Sequence, residues 1–115
     1  MVRGDVYWVE LTPRSGAEQT GRRPCIVVSS DAFNLAVGWR SVTVVPLTTS
    51  ERWLRVSPTT IVLQKGESNL PERCAAMVHQ VTTIDRAKLI GAPIGRVSET
   101  RMEELEAALM HYLLF

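Results

Sequence analysis

Two polar segments of the chain carry side chains that could act on a phosphate group, and each is adjacent to a predicted strand. Residues 16–24, GAEQTGRRP, contain two glycines among charged and amide side chains, and the closing proline keeps Arg23 extended. Residues 46–50, PLTTS, end in three hydroxyl side chains. A guanidinium stays charged and binds two phosphate oxygens at once, and a hydroxyl can donate to the same group. A solvated arginine and a hydroxyl-capped strand end would show the same pattern, so both interpretations stay open.

A basic and an aromatic side chain, Arg52 and Trp53, follow the hydroxyls. Basic residues beside an aromatic ring can hold single-stranded RNA, because the charge contacts phosphates while the ring stacks on a base. A tryptophan that packs against its own protein would fit the pattern equally well.

The charge balance limits the kind of nucleic-acid site that this chain can build. Its 115 residues contain 13 Lys and Arg against 12 Asp and Glu, a formal net charge of +1. A broadly cationic surface for nucleic acid or membrane is therefore excluded, and any polyanion site must be local. All but two of the cations are arginines, the residue suited to bidentate phosphate contacts. A chain of this length is expected to form a single domain over residues 1–115.

Neither a metal site nor a membrane span is expected from the sequence. Cys25 and Cys74 are isolated, and with only His79 and His111 beside them they lack the clustered spacing of a zinc site, so we expect no metal and no cofactor. Two cysteines and an N-terminus without an apolar targeting segment predict a reducing, cytoplasmic location. The longest apolar runs, about five residues, are far below the roughly 20 needed to span a bilayer.

The elements that must position these residues are short strands and one helix. The pattern predicts strands at 5–11, 24–29, 41–47, 61–63, 75–81 and 89–94, and helical turns at 32–36 and 85–88. Apolar residues from Met102 to Tyr112 recur every three or four positions, which predicts an amphipathic C-terminal helix, capped by Ser98 with Val97 packed on Met102. This order predicts an α+β fold built on a small antiparallel barrel or curled sheet. The apolar residues 113–115 suit core packing or a subunit contact.

Motifs along the whole chain resemble those of the MazF/PemK (Kid) toxins. The first strand reads RGDVYWVEL, residues 16–24 are similar to G-x-E-Q-x-G-x-R-P, and residues 44–48, VVPLT, resemble V-x-P-[LIV]-T. Residues 80–85, QVTTID, match Q-x-x-T-I-D, and residues 94–98, IGRVS, precede the last helix as in that family. The motifs occur in the family's order in a chain of the right length, so the resemblance is specific.

The resemblance implies a ribonuclease toxin of a type II toxin–antitoxin pair. Members have an SH3-like barrel with short helices and form homodimers. They cut single-stranded RNA, including mRNA, at short sequence motifs without metal or another cofactor, which stops translation and growth. The products carry a 2′,3′-cyclic phosphate and a 5′-hydroxyl. A disordered acidic segment of the cognate MazE-like antitoxin occupies the RNA groove.

The resemblance also assigns roles to individual residues. Arg23 matches the family's catalytic arginine, which suits stabilisation of charge on the phosphate first and proton transfer second. Thr48 matches the catalytic threonine, whose hydroxyl can bind the scissile phosphate or orient the 2′-hydroxyl. Glu18 could bind RNA or brace Arg23, and Gln80 could position RNA or hold loop structure. The residues expected to bind RNA are Glu18, Gln19, Thr49, Arg52, Trp53 and Gln80.

The chain departs from a second catalytic set that some members use, a histidine in the first loop with an arginine and an aspartate just before the motif glutamine. Those positions hold Ala17, Met77 and His79. His79 could accept a proton in place of the aspartate, because an imidazole titrates near neutrality, or it could be a strand-end histidine satisfied by backbone or solvent. Thr82 replaces a frequent family arginine, which would weaken one phosphate or dimer contact.

Two other functions fit parts of the pattern. A toxin resembling CcdB would poison DNA gyrase through its C-terminal helix end without nuclease activity, and it would not need Arg23 or Thr48. An SH3-like module that binds proline-rich peptides would need an aromatic groove. Seven aromatic residues, mostly in strand or helix positions, make that groove hard to build.

Overall fold

A computed structural model describes residues 1–12, 15–18 and 20–114. Within these ranges seven strands form: β1 (Asp5–Glu10), β2 (Arg22–Val27), β3 (Ser41–Thr48), β4 (Thr60–Leu63), β5 (Cys74–Met77), β6 (Thr82–Asp85) and β7 (Leu89–Arg96). The same ranges hold two α-helices, α1 (Asp31–Asn34) and α2 (Glu99–Leu113), and four 3₁₀ turns, η1 (Glu51–Trp53), η2 (Glu67–Asn69), η3 (Val78–Gln80) and η4 (Arg86–Lys88).

The sheet is antiparallel and centres on β3. Its strands follow the order β4-β5-β3-β2-β1-β7, and β6 also pairs with β3. One edge of β3 pairs with β2, while the other pairs with β6 near its beginning and with β5 at its end. A single strand thus carries three neighbours, and its last residue, Thr48, pairs with Ala75 of β5.

A loop joins the two ends of this strand order. In the described residues β4 and β7 do not pair, but the Asn69 side chain donates from Nδ2 to the Ile94 carbonyl at 3.2 Å. A Cβ placed on the neighbouring Gly95 would lie 2.0 Å from the Ser68 carbonyl oxygen, so the contact leaves room for glycine alone. The predicted α+β fold with an antiparallel sheet is confirmed, whereas the described strands do not close into a hydrogen-bonded barrel.

The predicted strand over 75–81 is wrong, because η3 interrupts it and β6 begins after the turn. Met77 has φ −91° and ψ 89°, and the Val81 amide donates to the Val78 carbonyl at 3.1 Å. The turn lets the chain pair with two different parts of β3, since β5 pairs with the end of β3 and β6 with its beginning. A run of apolar residues does not reveal such a shift.

Alternate residues of the central strands enter two hydrophobic clusters. Val6 and Val45 pack in the cluster that also contains residues of α2, whereas Tyr7 and Val44 pack in the other cluster. Successive side chains of a strand point to opposite faces, so these strands are buried on both sides. This explains their near-continuous apolar sequence, and each fully buried aliphatic side chain contributes about 1.5–3 kcal/mol.

The C-terminal helix begins as predicted. The Ser98 hydroxyl accepts a hydrogen bond from the Arg101 amide at 3.2 Å, and α2 starts at the next residue, Glu99. Val97 and Met102 are buried in the same cluster as Leu105, so the predicted packing across the first turn is confirmed. Among the described residues, no helix combines the length and apolar character needed to cross a membrane.

Candidate active site

Strands β2 and β3 bring the two predicted catalytic residues together. Their paired residues run from Val27–Val44 to Cys25–Pro46, and beyond the last pair Arg23 lies near the start of β2 and Thr48 at the end of β3. Since antiparallel neighbours run in opposite directions, the start of one strand lies beside the end of the other. Both residues line one cleft, the main cleft, with a volume of about 500 Å³.

Arg23 is half-buried near the start of β2, where the chain leaves the β1–β2 loop. Its Nε donates to the Thr20 carbonyl oxygen at 2.9 Å, which ties the guanidinium to that loop. Its backbone is fixed by pairing with Val9 on β1. Because its backbone and its guanidinium are both held in place, Arg23 can bind an anion with little loss of side-chain conformational freedom.

Thr48 is the last residue of β3 and is only 7% exposed. Its Oγ1 accepts a hydrogen bond from the Ser50 amide at 3.2 Å, so the chain leaving the strand orients the hydroxyl. A hydroxyl that accepts one bond keeps its own proton to donate. Thr49, which is exposed, lines the same cleft and places a second hydroxyl residue beside the first.

Arg22 also lines the main cleft, but a carboxylate of the protein balances its charge. Its Nε lies 3.1 Å from Glu10 Oε2. The Thr12 hydroxyl and amide donate to the same carboxylate, and together with Arg22 they hold the pKa of Glu10 below its usual value. Glu10 is therefore ionised at neutral pH, and Arg22 is committed to an ion pair, while Arg23 shares the cleft with Thr48.

The sequence analysis missed Trp8, which forms an apolar wall of the main cleft together with Pro71 and Ile94. Trp8 is 44% exposed and lies opposite Pro24 of β2. Strand alternation places it on the same face as the fully buried Val6, so the pattern predicts a core residue there. Its exposure comes from its place in the cleft wall, which the sequence pattern of β1 does not show.

The charged and hydroxyl groups that line the main cleft are the guanidiniums of two arginines, the hydroxyls of two threonines and the carboxylate of Glu72. In the part of the chain that the structure describes, no three His, Cys, Asp or Glu side chains are placed to hold a metal ion together. Cys25 and Cys74 are buried free thiols. Cys74 lines the cleft, and burial raises its pKa, so it is a neutral thiol and a poor nucleophile at physiological pH.

The model of one protein family, the PemK-like, MazF-like toxins of type II toxin–antitoxin systems, matches residues 2–113. The chain belongs to this family. Curated relatives of the toxin include endoribonuclease MazF9 of Mycobacterium tuberculosis, which is 34% identical over 116 residues, with 98% of this chain and 96% of the relative covered. Endoribonuclease MazF6 of the same organism is 30% identical over 112 residues, with 96% and 95% covered.

Solved MazF structures share the fold of the toxin. MazF from Deinococcus radiodurans matches with a TM-score of 0.81 at 22% identity, covering 100% of this chain and 97% of that one. An endoribonuclease from a mycobacterial species, in complex with its cognate antitoxin, matches with a TM-score of 0.77 at 25% identity, with 100% and 96% covered. The resemblance drawn from the motifs is confirmed, and so is the MazF-like arrangement of sheet and C-terminal helix.

A second cluster of the toxin joins Arg52, Trp53, His79 and Tyr112. Trp53 on η1 stacks on the His79 ring with centroids 5.0 Å apart, and Tyr112 of α2 meets the same imidazole edge-on at 6.5 Å. The Arg52 guanidinium carbon lies 5.2 Å from the Trp53 ring centroid. Arg52 and Trp53 line a hollow of about 240 Å³ that is distinct from the main cleft. Their contact with RNA stays a prediction.

His79 belongs to this ring cluster and does not line the main cleft. Its Nδ1 is buried without a hydrogen-bond partner in the described residues, so the expected satisfaction by backbone or solvent does not hold for that atom. Burial also lowers the pKa of the imidazole, which is therefore neutral at pH 7. Its part in proton transfer stays a prediction, while its ring contacts are those of a packing residue.

Gln80 contacts the β1–β2 loop of the toxin. Its Nε2 donates to the Ala17 carbonyl oxygen at 3.1 Å, which is the loop-holding role considered for this side chain. Glu18, in the same loop, is exposed, and its contact with RNA stays a prediction. Gln19 lies outside the described residues.

Proposed function

We propose that this toxin is an endoribonuclease that cleaves single-stranded RNA, including mRNA, at short sequence motifs and thereby stops translation and growth. The observation that carries the proposal is that Arg23 and Thr48 line one cleft, in a family whose curated relatives are named endoribonucleases. We propose that residues 1–115 form one domain, in which the curled sheet corresponds to an SH3-like barrel. The toxin acts in the cytoplasm.

Cleavage begins when the RNA 2′-hydroxyl attacks the adjacent phosphorus. A bond forms between the 2′ oxygen and phosphorus, and the bond from phosphorus to the 5′ oxygen of the next nucleotide breaks. The attacking hydroxyl loses a proton and the leaving oxygen gains one, which leaves a 2′,3′-cyclic phosphate and a 5′-hydroxyl. The RNA supplies its own nucleophile, so the protein has to position the strand and stabilise charge, and we propose that it does so without metal.

Arg23 and Thr48 supply the two groups that this transition state needs. Negative charge builds on the non-bridging oxygens, and the Arg23 guanidinium can donate to two of them. A guanidinium gives up its proton with difficulty, so Arg23 acts first as an electrostatic stabiliser. The Thr48 hydroxyl, oriented by the Ser50 amide, donates to the phosphate or positions the 2′-hydroxyl.

The RNA bases next to the scissile phosphate find an apolar wall in the main cleft. Trp8 offers an exposed indole there, and stacking on an aromatic side chain contributes about 1–3 kcal/mol per base. Farther from the chemistry, the stacked pair Arg52 and Trp53 offers a charge and a ring to the strand. The remaining RNA contacts are assigned to Glu18, Gln19 and Thr49, whereas Gln80 acts on the strand through the β1–β2 loop that it holds.

The toxin assembles as a homodimer and is neutralised by an antitoxin. Tyr112 and Leu113 at the end of α2 are half exposed, and Leu114 is 90% exposed, which suits burial against a second copy. One mycobacterial endoribonuclease of similar fold has been solved with its cognate antitoxin. We expect a MazE-like antitoxin to lay a disordered acidic segment across the main cleft, because an acidic chain competes with RNA for the same cation.

Incubation of the purified toxin with a long unstructured RNA in EDTA tests the proposed activity. We expect cleavage at a few defined motifs, because the RNA provides the nucleophile and Arg23 provides the charge. Mapping of the 5′ ends should show hydroxyls, and the 3′ ends should carry cyclic phosphate. An Arg23→Ala preparation controls for contaminating ribonuclease. Cleavage that EDTA abolishes and magnesium restores would contradict the mechanism.

Sedimentation at micromolar concentration tests the assembly. We expect the mass of a dimer, since the apolar end of α2 is costly to leave in water. Leu114→Lys should shift the population toward monomer, because it places a charge on this surface, whereas Val37→Lys, at an exposed position outside α2, should not. A monomeric parent would overturn the dimer but leave the cleavage mechanism standing.

A gyrase poison resembling CcdB has no support in the site. Such a toxin would not need Arg23 and Thr48 in one cleft, and the family match is to MazF-like toxins. The RNA experiment separates the two functions, because a gyrase poison would leave the RNA intact.

A further inference from the structure

Two adjacent side chains on η3 contact two different loops. Gln80 donates from Nε2 to the Ala17 carbonyl in the β1–β2 loop, 63 residues away in sequence, at 3.1 Å. His79 stacks on Trp53, which lies on η1 in the β3–β4 connection. One short turn therefore contacts both the β1–β2 loop and η1, which directly follows the hydroxyl segment 46–50.

The turn η3 is a fixed platform for these contacts. Met77 and Val78 are fully buried, and the Val78 amide donates to the Thr59 carbonyl at 2.9 Å. The strands on either side of the turn, β5 and β6, both pair with β3. The backbone of His79 and Gln80 is thus attached to the same strand that carries Thr48.

Each loop contact lies close in the chain to a backbone group that bonds a catalytic residue. The loop held at Ala17 continues to Thr20, whose carbonyl oxygen accepts the bond from Arg23 Nε at 2.9 Å. On the other side, the Trp53 amide donates to the Ser50 carbonyl at 3.0 Å, and the Ser50 amide orients the Thr48 hydroxyl. The same turn is connected in this way to both halves of the catalytic pair.

His79 contacts its neighbours through its ring and not through a hydrogen bond at Nδ1. Nδ1 is buried without a hydrogen-bond partner in the described residues, while the imidazole ring packs on Trp53 at a tilt of 34° and meets Tyr112 edge to face. A ring of similar size without nitrogen would keep these contacts.

We propose that His79 and Gln80 are positioning residues, which hold the β1–β2 loop and η1 at a fixed mutual distance. They thereby set the distance between the Arg23 guanidinium and the Thr48 hydroxyl. This inference rests on the proposed ribonuclease function and deepens it. A displacement of about 1 Å in a catalytic pair can cost on the order of 10²-fold in rate, so contacts of this kind act on kcat.

Four variants test the proposal kinetically. Gln80→Met removes the amide donor at equal length, His79→Ala removes the ring, and His79→Phe keeps a ring without a titrating group. We expect Gln80→Met and His79→Ala each to lower kcat about 10-fold or more with a smaller change in KM, and His79→Phe to stay within about threefold of the parent. Gln64→Met, the same change at an exposed glutamine outside both loops, is the matched control.

The double variant His79→Ala with Gln80→Met gives the sharpest outcome. Once one loop moves freely, the distance between Arg23 and Thr48 already varies, so loss of the second contact should add less than about threefold. Independent RNA contacts would instead multiply their effects and raise KM. Multiplied effects, or a His79→Phe variant as inactive as His79→Ala, would overturn the proposal.

Loop order measured by NMR separates this proposal from the ribonuclease function. Amide order parameters should fall at residues 16–18 and 20 in Gln80→Met and at 51–53 in His79→Ala, with α2 unchanged. If these values fall but the parent cleaves no RNA, the ribonuclease function fails and the loop contacts stand. If the parent cleaves RNA and both loops stay as ordered as before, the positioning role is wrong.

Discussion

Replacement of Arg23 by alanine should lower kcat for RNA cleavage about 10²–10³-fold, the usual cost of losing one preorganised donor at a developing oxyanion. Arg23→Lys should not restore the rate, because an ammonium is a single point charge where the guanidinium offers two parallel N–H groups. Thr48→Ala should also lose cleavage, and Thr48→Ser should be milder, since it keeps the hydroxyl and loses the methyl that restricts its rotamer. Single-turnover kinetics on a short RNA measure these changes.

Controls for this prediction address fold and charge separately. Arg23 and Thr48 lie at the junctions of strands and loops, so circular dichroism and Tm of the variants should match the parent. Arg40→Ala removes an exposed arginine that pairs with Asp85 outside the main cleft, and it should leave kcat unchanged. An Arg23→Ala variant that cleaves within about threefold of the parent would make Arg23 a binding charge only, and the chemistry would then be sought at His79.

Gly95→Ala should be among the most destabilising substitutions in the chain. The added Cβ would lie 2.0 Å from the Ser68 carbonyl oxygen, and a backbone atom of the η2 loop cannot move aside as a flexible side chain can. Overpacking of this kind costs about 3 kcal/mol, which for a domain of this size lowers Tm by about 10 °C. Thermal unfolding followed by circular dichroism measures the effect.

Gly91→Ala is the matched control on the same strand. Gly91 has φ +69° and nothing within 4 Å of an added Cβ, so alanine there meets backbone strain without a close contact and should cost about 1–2 kcal/mol. The larger loss at Gly95 would show that the loop contact across the strand ends supports the fold. Equal melting temperatures for the two variants would contradict that role.

The sequence predicted those features that depend on local pattern. The Ser98 cap, the helix after it and the packing of Val97 on Met102 follow from spacing within a few residues, and all are confirmed. The pairing of Arg23 with Thr48 came from the family resemblance. The structure adds the strand pairing that explains it, because 25 residues separate the two positions and the antiparallel β2–β3 pair brings the start of one strand beside the end of the other.

The missed features depend on partners that sequence spacing does not show. The interruption of 75–81 by η3 arises because the chain changes its position along β3, which no run of apolar residues records. Trp8 is exposed because it lies in the wall of the main cleft, which residues distant in sequence complete. The stacking of His79 on Trp53 joins residues 26 positions apart. Both residues lie in 3₁₀ turns, whereas the sequence pattern predicts a strand through His79.

The pairing of β1 with β7 sets the order in which the main cleft is completed during protein synthesis. Trp8 on β1 is made first, whereas its neighbour Ile90 and the cleft residue Ile94 both belong to β7, which is made about 80 residues later. Ribosomes add about 5–20 residues per second, so β1 waits for several seconds before its partner emerges. The wall of the cleft therefore cannot form on a short nascent chain, and a ribosome translating this toxin meets a finished cleft only after β7 has been made.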